Sequence, residues 1–113
     1  MYVSRLTFHT LPGKTEIAQE KLTTLLDWVE KAGGLRPRVM RTHYGSLGAP
    51  DLIFEQEVED PAALESQIKK VTENQEFQHW AKQMSALLEQ SSKRELYQIA
   101  TPRSRVIRAS EAA

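Results

Sequence analysis

The sequence predicts an α+β fold whose six elements follow one another in the order β-α-β-β-α-β. Three observations predict it. Four short segments are predicted to be β-strands, and the first of them alternates polar and apolar residues with a period near two. Two longer stretches repeat apolar residues at spacings of three and four, as amphipathic helices do. Glycine, proline and an Asp-Pro pair fall at the boundaries between these segments.

The first strand is predicted over residues 2–9, which alternate and are rich in β-forming residues. Leu6 and Phe8 fall on one face, which we expect to meet the helices. The opposite face carries Val3, Arg5, Thr7 and His9. Pro12-Gly13 ends the strand because both residues favour turns.

The first helix is predicted over residues 14–31. Its apolar stripe consists of Ala18, Leu22, Leu25, Val29 and Ala32. Glu16 near its start and Lys31 at its end suit the helix dipole. Gly33-Gly34 ends it, since glycine takes left-handed backbone geometry without a side-chain clash.

The second and third strands are predicted over residues 38–44 and 52–58, as an antiparallel hairpin joined by the short loop 45–51. If Leu52 and Phe54 face the helices, the opposite face of the third strand carries Ile53, Glu55 and Glu57. The register of the second strand stays open. Its two alternating sets are Met40, Thr42 and Tyr44 on one side, and Val39, Arg41 and His43 on the other.

The second helix is predicted to begin at Asp60-Pro61, because aspartate caps free amides and proline fits the first helical position. Its apolar stripe blurs at residues 72–75 and then resumes. We therefore expect a long helix, kinked or broken near Asn74, that ends at Ser91-Ser92.

The last strand is predicted over residues 95–99, which completes one domain at residues 1–101. Residues 102–113 are predicted to form a polar C-terminal tail. The element order is the split βαβ motif of a ferredoxin-like fold, with a four-stranded antiparallel sheet and two helices on one face. The other sheet face is then left uncovered by its own chain.

The composition excludes several classes of function. Fifteen basic residues balance fifteen acidic ones, which removes the electrostatic case for a nucleic-acid partner. The absence of cysteine excludes disulfides, thiolate catalysis and cysteine-bound metals. The first ten residues do not resemble a signal peptide, and no apolar run approaches the ~20 residues of a membrane span. We expect a cytoplasmic protein with no membrane partner.

Candidate catalytic residues lie on the predicted open sheet face. His9, His43 and Glu55 could bind a divalent metal or act in acid–base catalysis, or they could form only a solvated or interface network. No short ligand motif is present, so no metal is predicted. Arg5 and Arg41 could hold an anionic ligand, or they could pair with the carboxylates of the third strand.

The span from Tyr2 to Thr101 resembles the dimeric α/β barrel superfamily, in particular NIPSNAP-like and antibiotic-biosynthesis-monooxygenase-like proteins. The features that carry the resemblance are Pro12-Gly13-Lys14, the 45–51 hairpin, Glu76-Phe77-Gln78-His79-Trp80 and the closing strand at residues 94–99. The resemblance implies a homodimer in which two chains pack their open sheet faces together and enclose a pocket in each half.

That resemblance implies a small-molecule-handling protein, either a monooxygenase-like enzyme without a bound cofactor or a non-catalytic binding or dimerisation module. Tyr44, Tyr97 and Trp80 could orient a polycyclic substrate, or they could be core residues. The predicted ligand pocket comprises Arg5, Arg41, Tyr44 and Trp80.

Relatives that degrade haem use a helical histidine together with an asparagine and a tryptophan on strands. His79 lies on the predicted second helix, but the first strand has no asparagine and neither tryptophan lies on a strand. No cofactor is therefore predicted.

Overall fold

The computed structural model describes residues 1–101, which form four strands and three helices. The strands are β1 (Tyr2–Phe8), β2 (Leu35–Arg41), β3 (Leu52–Val58) and β4 (Lys93–Gln98). The helices are α1 (Thr15–Lys31), α2 (Pro61–Thr72) and α3 (Gln75–Ser85). The predicted tail at 102–113 lies outside the described residues, and the predicted domain boundary before it stays a prediction. Within the described range, no helix is long and apolar enough to cross a membrane.

The strands form one antiparallel sheet in the order β2-β3-β1-β4. In the register of β1, Arg5 lies opposite both Glu55 of β3 and Glu95 of β4. Leu6 and Phe8 face the helices, as their alternation predicts, and Phe8 is buried. The α+β ferredoxin-like fold predicted from the sequence is confirmed.

The second strand begins and ends three residues earlier than predicted. A β-bulge lies between Leu35 and Arg38, and Arg36 within it has a positive φ of 48°. Because β2 is an edge strand, the bulge accommodates Pro37, which cannot donate a ladder hydrogen bond. The chain then bends away at residues 43–44.

The pairing of β2 with β3 fixes the register that the sequence left open. Val39 lies opposite Phe54 and Arg41 opposite Leu52, so both side chains are on the helix side of the sheet. Met40 lies opposite Ile53 on the open side.

The predicted second helix is two helices, so the sheet carries three helices rather than two. Asp60 caps α2 by accepting a hydrogen bond from the Ala63 amide at 2.7 Å. Asn74 caps α3 by accepting one from the Glu76 amide at 2.9 Å. The expected break near Asn74 is therefore confirmed, and its physical cause is a new helix start with its own cap.

Helix α3 also ends six residues before the predicted end at Ser91. The backbone of the next segment pairs with the chain after β1: Leu11 N donates to Leu87 O, and Glu89 N donates to His9 O, each at 2.8 Å. These bonds satisfy backbone groups that a longer helix would have paired internally.

The core lies between the sheet and the helices. Its buried hydrophobic residues are Phe8, Ala18, Leu22, Leu25, Val29, Leu52, Phe54, Trp80 and Met84. Helix α1 packs mainly on β2, whereas β4 packs mainly on β1. The helices are thus displaced towards the β2 edge, and the β4 edge is less covered.

Candidate functional site

The sheet face that turns away from the helices carries a row of alternating charges. Arg38, Glu55, Arg5 and Glu95 lie side by side across β2, β3, β1 and β4. Arg5 donates to Glu55 Oε2 from Nε at 3.0 Å and from Nη2 at 2.8 Å, and Arg38 donates to Glu55 Oε1. Glu55 is consequently only 6% exposed, although this sheet face has no cover in residues 1–101.

The two arginines keep the Glu55 carboxylate ionised. Burial alone would raise its pKa, but the hydrogen bonds and charges of Arg5 and Arg38 outweigh burial and hold the pKa below its ordinary value. A hydrogen bond from Arg36 lowers the pKa of the neighbouring Glu57 in the same way. Glu55 is therefore a charged structural partner in this arrangement, not a carboxyl group poised to exchange protons near neutral pH.

The three catalytic candidates of the sequence analysis are not brought together. His9 follows the end of β1, four residues beyond Arg5, which places it roughly 13 Å along the strand from the level of Glu55. His43 lies in the loop after β2, where its ring meets Tyr44 edge-on at 4.5 Å between centroids. The possible convergence is not seen within one chain, because the register places Arg5 and Arg38 beside Glu55, and catalytic roles for these residues stay predictions.

His9 is instead held between two loop segments. Its Nε2 lies 3.1 Å from Gly48 O, and its Nδ1 lies 2.9 Å from Gln90 Nε2. These contacts fit a neutral ring that donates from Nε2 and accepts at Nδ1. Among the described residues, no group of three or more histidine or acidic side chains is placed to hold a metal ion.

A cavity of about 470 Å³ lies on the opposite side of the sheet, between the sheet and the helices. Its apolar wall consists of Leu6, Phe8, Leu25, Val29, Phe54, Ile68, Val71, Phe77, Trp80, Ala81, Met84 and Leu88. Its mouth is marked by exposed polar residues: Thr72, Ser85, Gln90, Ser91, Ser92 and Arg94. The sequence analysis expected a pocket on the open face between two chains, and that pocket stays a prediction. The cavity of the single chain lies instead on the helix side, next to the β4 edge that the helices cover less.

Of the four predicted pocket residues, only Trp80 lines this cavity. Arg5 is on the open face in contact with Glu55, and Arg41 is at the end of β2 opposite Leu52. Tyr44 lies in the β2–β3 loop and is 91% exposed. A ligand contact by these three residues stays a prediction.

Trp80 belongs to both the core and the cavity wall. Its indole Nε1 donates to Lys21 O at 2.9 Å, which ties α3 to α1. Its ring packs against Phe77 at 5.6 Å and edge-on against Trp28 at 5.9 Å between centroids. Because its only donor is occupied, Trp80 offers the cavity an apolar surface. His79 beside it is exposed, contacts Gln83 at 3.1 Å and does not line the cavity.

Two buried amides that the sequence analysis missed also line the cavity. Gln56 Nε2 donates to Gln67 Oε1 at 2.7 Å, and Gln67 Nε2 donates to Gln56 Oε1 at 2.8 Å. The pair packs against Gly34, where an added Cβ would lie 2.4 Å from Gln56 Oε1. The sequence did contain a signal for the buried position of Gln56, because Gln56 falls on the same face of β3 as Phe54.

Arg94 was not singled out either. It lies opposite Leu6 in the β1–β4 register, which places its side chain on the helix side of the sheet. Its Nη1 donates to the hydroxyl of the buried Ser4 at 2.6 Å. Its position depends on the register of β4 against β1, which the sequence does not specify.

No family model matches this chain, and neither does any curated protein. Several solved structures do match this chain. A NIPSNAP family protein from Agrobacterium tumefaciens superposes with a TM-score of 0.74 and 18% identity, covering 90% of this chain and 94% of that one. An uncharacterized NIPSNAP domain protein from Burkholderia xenovorans superposes with a TM-score of 0.69 and 16% identity, covering 90% of this chain and 99% of that one. An antibiotic biosynthesis monooxygenase superposes with a TM-score of 0.63 and 17% identity, covering 90% of this chain and 100% of that one. The predicted resemblance to these two groups is confirmed at the level of the fold.

Proposed function

We propose that this chain is a homodimeric small-molecule-binding protein in which each subunit holds one ligand between its own sheet and helices. The observation that carries the proposal is the cavity. Its volume of about 470 Å³ falls in the usual range for ligand sites, roughly 300–1,000 Å³. An apolar and aromatic wall with a polar mouth is the usual composition of such sites.

The residue types in the cavity wall favour binding over acid–base catalysis by the protein. Arg94 is the only ionisable side chain that lines it among the described residues, and the other polar residues are amides or hydroxyls. General acid–base catalysis needs a group that exchanges a proton near the working pH, and arginine does not. A reaction in this cavity would therefore depend on the reactivity of the ligand itself.

The likeness to an antibiotic biosynthesis monooxygenase makes oxidation of the bound ligand the reaction to assay first. The aromatic cluster of Phe77 and Trp80 favours a planar ligand, because stacked and edge-on contacts with a flat ring are favourable. The alternative is binding without catalysis, which the shortage of titratable residues in the wall favours.

The open sheet face supports the homodimer. Its charges alternate in sign, and apolar residues such as Met40 and Tyr97 lie exposed between them. A two-fold interface joins the same surface of both subunits, so a face with both signs can meet itself without net repulsion. A cytoplasmic location is part of the proposal, since a chain without cysteine suits a reducing compartment.

Native mass spectrometry of the freshly purified protein tests both the homodimer and the ligand in the cavity. We expect a dimer that carries additional mass and loses it when Ala81 in the cavity wall is replaced by tryptophan. The matched control is Ala86→Trp, because Ala86 is exposed at the end of α3 and does not line the cavity. A bare monomer would contradict the dimer, and an unchanged adduct in Ala81→Trp would contradict the cavity as its location.

A further inference from the structure

Arg94 has hydrogen-bonding capacity that the described residues do not use. A guanidinium carries five N–H donors. Within residues 1–101, the side chain of Arg94 donates one hydrogen bond, to Ser4 Oγ at 2.6 Å. Ser4 is buried, so this bond anchors one edge of the guanidinium and orients the group at the cavity mouth.

Arg94 also differs from the arginines of the open face. Arg5, Arg36 and Arg38 each form a salt bridge with Glu55 or Glu57. Arg94 forms none in the part of the chain that the structure describes. Burial lowers the pKa of Arg94, because desolvation disfavours its charged form. The residue as a whole nevertheless remains exposed, so a ligand can reach it.

The polar side chains in the interior of the cavity already have hydrogen-bond partners within the protein. Gln56 and Gln67 satisfy each other through two reciprocal hydrogen bonds, and Trp80 donates away from the cavity to Lys21. The charge available to a ligand is therefore concentrated at one end of an apolar chamber.

We propose that Arg94 binds the anionic group of the ligand, so that the cavity takes a largely apolar molecule with one anionic oxygen group, such as a carboxylate. The inference rests on the proposed function and narrows it to a ligand class. The charged end pairs with Arg94 at the mouth, where a planar guanidinium can bind two oxygens side by side. The apolar body extends inward against Phe77, Trp80 and Met84.

The test uses two fluorescent probes with the same ring system and different charge. Anilinonaphthalene sulfonate carries an anionic group, and N-phenyl-naphthylamine does not. Both are titrated into the full-length chain and into three variants: Arg94→Gln, Arg94→Lys and Lys93→Gln. Lys93→Gln is the matched control, because it removes one positive charge from the adjacent residue, which faces the open side opposite Thr7.

We expect Arg94→Gln to weaken sulfonate binding by about tenfold or more, as the loss of a charge-assisted hydrogen bond would. Binding of the neutral probe should not change. Arg94→Lys should restore part of the sulfonate affinity, and Lys93→Gln should leave both affinities unchanged. Circular dichroism of each variant confirms that it folds.

Equal sulfonate binding by Arg94→Gln and the unchanged protein would overturn the role of Arg94 while leaving the cavity intact. That role would also be overturned if Lys93→Gln weakened sulfonate binding as much as Arg94→Gln does. If neither probe binds the unchanged protein, the proposed cavity function fails together with this inference.

Discussion

Replacing Glu55 by glutamine removes the negative charge at the centre of the open sheet face. Glu55 accepts hydrogen bonds from both Arg5 and Arg38, and the amide of glutamine would point a donor at one of them. A hydrogen bond to a charged group contributes about 1.5–3 kcal/mol when shielded from water. The arginine side chains are 38% and 40% exposed, so solvent screening reduces that contribution. We expect a net loss of about 2 kcal/mol in the free energy of unfolding at neutral pH.

The loss should depend on pH, with a sign that follows from the lowered pKa of Glu55. A carboxyl group whose pKa is lower in the folded state stabilises the fold above its unfolded pKa of about 4.3 and ceases to do so as the pH falls through the folded pKa. The difference between the unchanged protein and Glu55→Gln should therefore shrink as the solution is acidified below about pH 4.3.

Urea unfolding followed by tryptophan fluorescence measures both effects, at one protein concentration because a dimer gains stability with concentration. Glu95→Gln is the matched control, since Glu95 lies in the same row but on the exposed edge strand, with a hydrogen bond from Tyr97. Equal stabilities of Glu55→Gln and Glu95→Gln at neutral pH would refute the reasoning. A difference that persisted in acid would refute its electrostatic origin.

Two further substitutions test the packing around the cavity and the start of α3. Gly34→Ala should destabilise the protein by about 1–3 kcal/mol, because the added Cβ would lie 2.4 Å from both Gln56 Oε1 and Val29 Cγ1. Thermal unfolding measures this loss of stability, and an unchanged midpoint would contradict the close packing. Asn74→Ala should cost about 1 kcal/mol by removing the cap on Glu76 N, whereas Asn74→Asp should retain it. Equal urea midpoints for the two Asn74 variants would contradict the capping role.

The local sequence pattern was sufficient to predict the elements whose ends are marked by their own residues. The third strand, residues 52–58, was predicted as observed, because its alternation continues until Asp60-Pro61 starts a helix. The break near Asn74 was visible because the apolar stripe lapses there. The second strand was misplaced because a strand tolerates Pro37 at a sheet edge or a bulge, and both are properties of the assembled sheet.

The candidate site was less predictable because it depends on where separate elements lie relative to one another. Glu55 was identified on the open face, and its contact with Arg5 is one of the alternatives that the sequence left open, whereas its second partner, Arg38, was not foreseen. The cavity exists because the helices lie towards the β2 edge, and no local pattern specifies that displacement. Trp80 was named for the pocket, while its bond to Lys21 shows that it also holds two helices together.

The register of β4 determines which charge the cavity presents. Arg94 and Glu95 are adjacent, and neighbouring residues of a strand face opposite sides of the sheet. In the observed register Glu95 lies opposite Arg5 on the open face, which leaves Arg94 opposite Leu6 at the cavity mouth. A shift of one residue would exchange the two and place a carboxylate at the mouth. The Arg94–Ser4 bond and the 3.0 Å bond from Ile99 N to Met1 O resist that shift from both ends of the strand. The place of Glu95 in the row of charges and the proposed ligand selectivity of Arg94 are therefore consequences of the same strand alignment.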